Sequence, residues 1–284
     1  MTLGYLVGHY GFDLEPRFAT DVTVTSLADD VTDIQPGSLY IPNHAVSQER
    51  LAQVRARGAY AALLPHSMRQ VVQDIEFPLL FAEPSAQQIG KLSSDIAGAP
   101  ANTLAVFGIC GSSAQEVQAS VVRLADFLHM LGNPVGVISA AGSMSLERDL
   151  EFGFPVGIFD VQHTLAVCVE DGAAVMVFSL DDRSLHRDAL QSVNIDVLGT
   201  TDDVAPSAYH DYFAKTGERY GFSLDKQSGL TTCTEESDLL AHQTSFVTGK
   251  DMERHLSLAI SMVLAAGVRR GNIKNALRVS RELG

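Results

Sequence analysis

Apolar and polar positions along this 284-residue chain change period repeatedly between two and about four residues. In the first hundred residues, four short apolar runs bounded by turn-forming residues predict strands: VTVT (22–25), SLYI (38–41), AYAALL (59–64) and FPLLF (77–81). Between them, Ser47 to Arg57 reads as a helix, with Leu51 and Val54 on one face and Gly58 at its end. A second helix starts near Ser85, with Ile89, Leu92 and Ile96 at helical spacing. The stretch AGAPANT (97–103) has small residues, a proline and no apolar anchor, so a domain boundary is expected there.

Beyond it the pattern restarts. TLAVF (103–107) predicts a strand, followed by a glycine-bracketed turn. The helix after the turn carries Val117, Val121, Leu124, Leu128 and Leu131, and Gly132-Asn133 ends it. PVGVIS follows within a few residues, so a compact βαβ unit with a parallel strand pair and a right-handed crossover is expected. LAVCV (165–169), AAVMVFS (173–179) and VNIDVLG (193–199) read as further buried strands. Met252, Leu256, Ile260 and Val263 mark a late helix ending at Gly267, and a last helix covers Ile273 to Val279 before the chain ends at Gly284. The alternation predicts an α/β protein with a small domain over residues 1–100 and a larger one, with a mainly parallel sheet, over 101–284.

Composition narrows the classes. Hydrophobic residues make up 46% of the chain, enough for a sizeable core. No apolar run reaches the roughly 18 residues that span a bilayer, and the N-terminus has no basic region followed by a sustained apolar one, so neither membrane insertion nor a signal peptide is expected. Cys110, Cys168 and Cys233 are isolated and lack metal-type spacing, which suits a reducing cytoplasm. The formal charge of −14 disfavours nucleic acid and anionic membranes as partners. It leaves room for a small anion held by local backbone amides.

The stretch LAVFGICGSSAQEV (104–117) has the layout of a phosphate-binding loop: an apolar strand, a turn between Gly108 and Gly111, then a helix. Gly111-Ser112-Ser113-Ala114-Gln115-Glu116-Val117 lacks the lysine such a loop uses. With the flanking segments, this order resembles the Mur ligases, most closely the UDP-N-acetylmuramoyl-tripeptide synthetase type. VTSLADDVTDIQPGSLYIP (24–42) is similar to that family's N-terminal uridine-nucleotide domain, and ARGAYAALLP (56–65) to its next helix–strand step. NTLAVFGICGSS (102–113) falls where the family opens its ATP-binding central domain, and GKDMERHLSLAISMVLAAGVRRGNIKNAL (249–277) resembles that domain's closing helices. The resemblance implies a P-loop-NTPase-like, Rossmann-like central domain. It also implies that the family's third, amino-acid-binding domain is absent, since the chain stops at about where that domain would start.

Set against the family's chemistry, which activates a carboxylate as an acyl phosphate with ATP and magnesium, the motifs are degenerate. Where the family loop reads G-T-N-G-K-T-T, the second glycine is Ala114, the phosphate-pairing lysine is Gln115 and the magnesium-holding hydroxyl is Glu116. A unit charge pair at about 4 Å is worth roughly 4 kcal/mol at an effective dielectric of 20, or about a thousandfold in affinity. Gly108, Gly111, Ser112 and Ser113 are then left as a weak anion cradle, or simply as a turn that packs the helix on the sheet. The glutamate expected after the central strand is replaced within Val177-Phe178-Ser179-Leu180-Asp181-Asp182, and the next motif's histidine is missing from Gly199-Thr200-Thr201-Asp202-Asp203-Val204. Lys215 is the counterpart of the family's carboxylated lysine, one residue early; the adenine-side asparagines fall at Asp251 and Arg254.

Asp181, Asp182, Asp202 and Asp203 each follow a predicted parallel strand, where ligands collect in open α/β sheets, so they are candidates for a hard cation as well as for helix-capping loop acids. His186 and His210 lack partners at ligand spacing and read as surface or packing residues. Ser26, Asp29 and Asp30 lie in the turn where the family contacts uridine. The expected function is a cytoplasmic, catalytically inactive Mur-ligase relative that binds a UDP-muramoyl nucleotide or a cell-wall protein, with no cofactor. The alternatives are an ATP- and magnesium-dependent carboxylate–amine ligase with a rebuilt site, and a metal-dependent hydrolase built on the aspartate pairs.

Overall fold

The computed structural model describes residues 1–44, 46–72, 77–243 and 250–283. Gly249 and Gly284, which begin and end segments singled out above, lie outside them. The chain divides into two compact units, Met1–Gly98 and Ala99–Gly284.

The first unit opens with helix α1 (Leu3–Tyr10), which Thr2 caps by accepting the Tyr5 N–H at 3.2 Å and Gly11 ends in the left-handed region. Strands β1 (Asp13–Glu15), β2 (Ser26–Ala28) and β3 (Ser38–Tyr40) precede helix α2 (Gln48–Ala56). Then come β4 (Ala61–Leu64), β5 (Leu79–Phe81) and α3 (Ala86–Ile96), the last begun by a reciprocal cap between Ser85 and Gln88. The sheet order is β1-β5-β4-β3-β2, parallel apart from β1. Leu51 and Val54 of α2 pack with Tyr40, Ala62, Leu64, Leu79 and Phe81 from one face of it. The expected VTVT strand is displaced: pairing covers 26–28, while Thr23 makes only an isolated bridge to Thr2. Val24 and Thr25 instead donate their N–H groups to Met1 and Gly37.

In the second unit β6 (Ala105–Cys110) leads into α4 (Ala114–Met130), β7 (Val135–Ile138) and an antiparallel hairpin of β8 (Ser143–Ser145) and β9 (Arg148–Leu150). Helix α5 (Ile158–Asp171), β10 (Val175–Leu180), β11 (Val197–Thr200), α6 (Tyr209–Tyr220) and β12 (Gly229–Thr231) follow. Helices α7 (Glu235–His242), α8 (Lys250–Ala265) and α9 (Arg270–Leu283) complete the described chain. The sheet order is β12-β11-β6-β10-β7-β8-β9, parallel from β12 to β7. Along β10, Val175 and Val177 face α4 and α8, while Met176, Phe178 and Leu180 face α5 and α6. A strand covered on both faces is expected to be apolar at every position, and β10 is buried throughout.

Three expectations need correction here. LAVCV lies inside α5, not in a strand. Val161, Leu165 and Cys168 recur at helical spacing on its buried face, Asp160 accepts the Gly157 N–H at 3.1 Å, and Gly172 ends the helix in the left-handed region. The β-rich local composition loses to that longer period. The strands of the β6–α4–β7 unit are parallel but not neighbours, because β10 inserts between them and pairs with both. VNIDVLG contributes only its end to β11, although Val193 and Ile195 are buried in the core.

Candidate functional site

The inserted strand creates the site. Cys110, the last residue of β6, lies in register with Leu180 on one side and Thr200 on the other. Gly111, Asp181 and Thr201 therefore leave the sheet side by side. Since β6 connects through α4 toward one edge of the sheet and β10 connects to β11 on the other, this is a switch point, where open parallel sheets form a crevice. A cavity of about 530 Å³ opens there, its walls including Gly111, Ser112, Asp181, Asp182, Arg183 and Lys215.

The loop after β6 is shaped by close approach. A side chain at Gly111 would place its Cβ 2.0 Å from Thr201 Oγ1 and 3.1 Å from a Val117 methyl, so one here would force Thr201 to move. Ser113 caps α4 by accepting the Glu116 N–H at 3.4 Å. Ser112 donates both its N–H (3.0 Å) and its hydroxyl (2.8 Å) to Asp202 Oδ1, and the Tyr212 hydroxyl donates to Asp202 Oδ2 at 2.7 Å. Partial burial alone would push the Asp202 carboxyl up. The hydrogen bonds from the Ser112 amide, Tyr212 and the Ser112 hydroxyl, with the charge of Arg254, outweigh it and hold the group below the ordinary carboxylate range. The amide and hydroxyl at the tip of the loop thus face a carboxylate supplied by the chain itself.

The rest of the loop is tied down too. Glu116 accepts from His255 of α8 at 2.8 Å, with His255 nearly buried, and Arg254 donates to the Thr201 carbonyl at 2.6 Å. Gln115 and Asp251 are exposed. Gly108 is inside β6 rather than in the loop; its missing Cβ makes room for Leu180 and Leu198, whose Cδ1 atoms would lie 2.9 and 3.1 Å away.

The four aspartates part company. Asp181 is buried and accepts hydrogen bonds from Ser179, Ser184, the Arg183 N–H and Gln118. Asp182 is held by Nε and Nη2 of Arg219, one edge of the guanidinium, and by the Tyr220 hydroxyl at 3.1 Å, and the Arg219 pairing lowers its carboxyl below the usual range. Asp202 closes the loop, and Asp203 is exposed. They do not gather on one point: among the described residues, no group of three His, Cys, Asp or Glu side chains is placed to hold a metal ion. His186 is exposed, and exposed His210 lies 3.8 Å from Asp211.

Lys215 reaches the cavity wall from α6, together with Tyr212, Thr216, Arg219 and Tyr220. These five form an i, i+3, i+4, i+7, i+8 stripe, a helical signal carried by mostly polar residues. Cys110 also lines the cavity, and burial pushes its thiol up to about 11, leaving about one thiolate per thousand molecules at pH 8. Iodoacetamide near pH 8 is therefore expected to leave Cys110 unmodified in the folded protein and to label it in denaturant, as read by mass spectrometry; rapid native labelling would contradict its burial.

In the first unit, Ser26 lies in β2 rather than in the turn, and its hydroxyl is 2.8 Å from that of buried Ser38. Asp30 caps a short 3₁₀ turn by accepting the Thr32 N–H (2.8 Å) and hydroxyl (2.9 Å), and it pairs with Arg50 at 3.1 Å. The Thr32 N–H is the chief reason its carboxyl is lowered. Asp29 is half-buried and engaged within the fold.

A doubly covered parallel sheet with a glycine-shaped loop at its switch point is the architecture of nucleotide-binding α/β proteins. Comparison with known proteins narrows this. No family model matches the chain. Over 113 residues it is 23% identical to a UDP-N-acetylmuramoyl-L-alanyl-D-glutamate–2,6-diaminopimelate ligase of Lactiplantibacillus plantarum, a match covering 39% of this chain and 22% of the relative. The ligase of the same name from Cytophaga hutchinsonii is 24% identical over 123 residues, 42% of this chain and 25% of the relative. The matched stretches thus span about a quarter of those relatives or less. Among solved structures, UDP-N-acetylmuramoylalanyl-D-glutamyl-2,6-diaminopimelate–D-alanyl-D-alanyl ligase from Acinetobacter baumannii superposes with a TM-score of 0.54 at 15% identity, covering 97% of this chain and 68% of that one. These likenesses support a relationship to the Mur ligase family, the solved structures through the fold and the sequence matches through part of the chain. No helix among the described residues is long and apolar enough to cross a membrane.

Proposed function

We propose that this chain is a Mur-ligase-like binding protein of peptidoglycan-precursor synthesis that does not turn over ATP. The observation that carries the reading is the Asp202 carboxylate on the Ser112 amide and hydroxyl, secured from behind by Tyr212. A phosphate entering this loop has to displace an internal anion, and it meets Glu116 where the family's loop has a hydroxyl and Gln115 where it has a lysine. A UDP-muramoyl nucleotide or a cell-wall protein is the partner this reading assigns, and the protein needs no cofactor for it.

The rival reading is an ATP- and magnesium-dependent carboxylate–amine ligase with a rebuilt site. It draws support from Lys215, which stands on the cavity wall with no ionic partner among the described residues. Calorimetric titration with Mg-ATP at moderate salt separates the two. The closed loop predicts no heat of binding up to millimolar nucleotide, and micromolar affinity would overturn it in favour of the ligase.

A further inference from the structure

The cavity beside the closed loop carries two cations that no ion pair among the described residues uses. Three cations, Arg183, Lys215 and Arg219, line it against two carboxylates, Asp181 and Asp182. Both carboxylates are committed, Asp181 to the hydroxyls and amides around it and Asp182 to Arg219 and Tyr220. Arg183 spends its backbone N–H on Asp181, but its guanidinium, like the Lys215 ammonium, has no ionic partner among the described residues. In a chain of net charge −14, two unpaired cations on this cavity offset the local carboxylates.

We infer that Arg183 and Lys215 bind the oxyanion group of a small organic molecule that carries no triphosphate. This rests on the closed-loop reading, because a loop filled by Asp202 leaves these two cations for a ligand outside it. The volume points the same way. At about 530 Å³ the cavity is in the range of small-molecule sites and far larger than a bare ion, so the oxyanion is one end of the ligand. Leu180, Cys110 and the rings of Tyr212 and Tyr220 provide a less polar wall for the remainder. A planar guanidinium and an ammonium lining one cavity suit a carboxylate or a phosphate ester equally well.

Inorganic phosphate and glutarate, titrated separately by calorimetry at low salt, distinguish the two sources, the tighter binder naming the group. Saturable binding of at least one is expected, weakening as salt is added. Arg183→Met and Lys215→Met are each expected to weaken it by about tenfold. Lys274→Met, an exposed position on α9 that does not line the cavity, is expected to leave it unchanged. Both cavity cations are exposed, so their removal should leave the melting temperature in place. Absence of saturable binding, or equal affinity in wild type and both variants, would overturn the inference. The two readings fail separately. Micromolar Mg-ATP binding that survives both substitutions, with oxyanion binding that is still lost in them, would sink only the closed loop. Mg-ATP binding lost along with oxyanion binding would show that these cations hold a nucleotide phosphate, against the ligand class stated here.

Discussion

Asp181→Ala is expected to lower the stability of the second unit by about 4 kcal/mol, the largest single effect among the residues around the cavity. The side chain is 5% exposed and carries five hydrogen bonds. Oδ2 accepts from the hydroxyls of Ser179 (2.6 Å) and Ser184 (2.9 Å), both fully buried. Oδ1 accepts from the N–H groups of Arg183 (2.9 Å) and Ser184 (3.2 Å) and from Gln118 Nε2 (3.2 Å). Alanine leaves these donors without their acceptor, and each buried group so orphaned costs about 1–3 kcal/mol. Asp181→Asn is expected to lose roughly half as much, since its amide keeps one acceptor oxygen and turns the other into a donor facing hydroxyls that can rotate. Urea denaturation followed by circular dichroism is the suitable measurement, because the chain has no tryptophan. A loss under about 1 kcal/mol for the alanine variant would mean that the network rearranges around its absence. The same carboxylate joins the end of β10 to α4 through Gln118, so weakening it loosens two walls of the cavity at once.

What could be read from the sequence follows the range of the physics involved. Helix α4 was legible because Val117, Val121, Leu124 and Leu128 repeat along one face and Gly132 stops them. Strands β3, β4, β5 and β10 were legible because apolar runs end at turn residues. Helix α1 escaped notice: LGYLVGHY is short, and only the Thr2 cap and Gly11 mark its limits. LAVCV reads as a strand because a short apolar run with Val167 and Val169 outweighs the period of Val161, Leu165 and Cys168 only in a narrow window. The seat of β10 between β6 and β7 is a choice of partner, which local pattern does not encode. At the site, Gly111, Ser112, Asp181, Asp182 and Lys215 do converge on one cavity. The role of Asp202 was out of reach, because its bond to Ser112 joins residues 90 apart in the chain. From sequence, a carboxylate after a strand suggests a cation; in place, it takes the position of an anion.

Asp202→Ala is expected to cost about 2 kcal/mol at neutral pH and to open the loop to phosphate. The cost stays below that of Asp181 because Ser112 is exposed and water can replace the lost acceptor. Its pH dependence has a definite sign. The folded carboxyl titrates below its unfolded value of about 3.9, so the stabilisation is fully present above about pH 5 and drains away as pH falls through the lower, folded value. The gap between wild type and variant in thermal melts should therefore be constant from pH 7 to about 5 and close in stronger acid. A gap that widens in acid would assign the carboxylate the opposite role. The ligand arm is independent of that stability. Inorganic pyrophosphate at ten times its dissociation constant stabilises whichever form binds it by about 1.4 kcal/mol. With Arg183 and Lys215 both replaced by methionine, so that the second anion site inferred above is gone, that protection is expected in the alanine variant, whose Ser112 amide and hydroxyl are released, and not where Asp202 is intact and already occupies them. Equal protection of both proteins would show that pyrophosphate enters by another route and that the Asp202–Ser112 pair closes nothing. Protection of the variant alone would establish that this loop keeps the shape of an anion cradle and that the protein's own carboxylate keeps it filled.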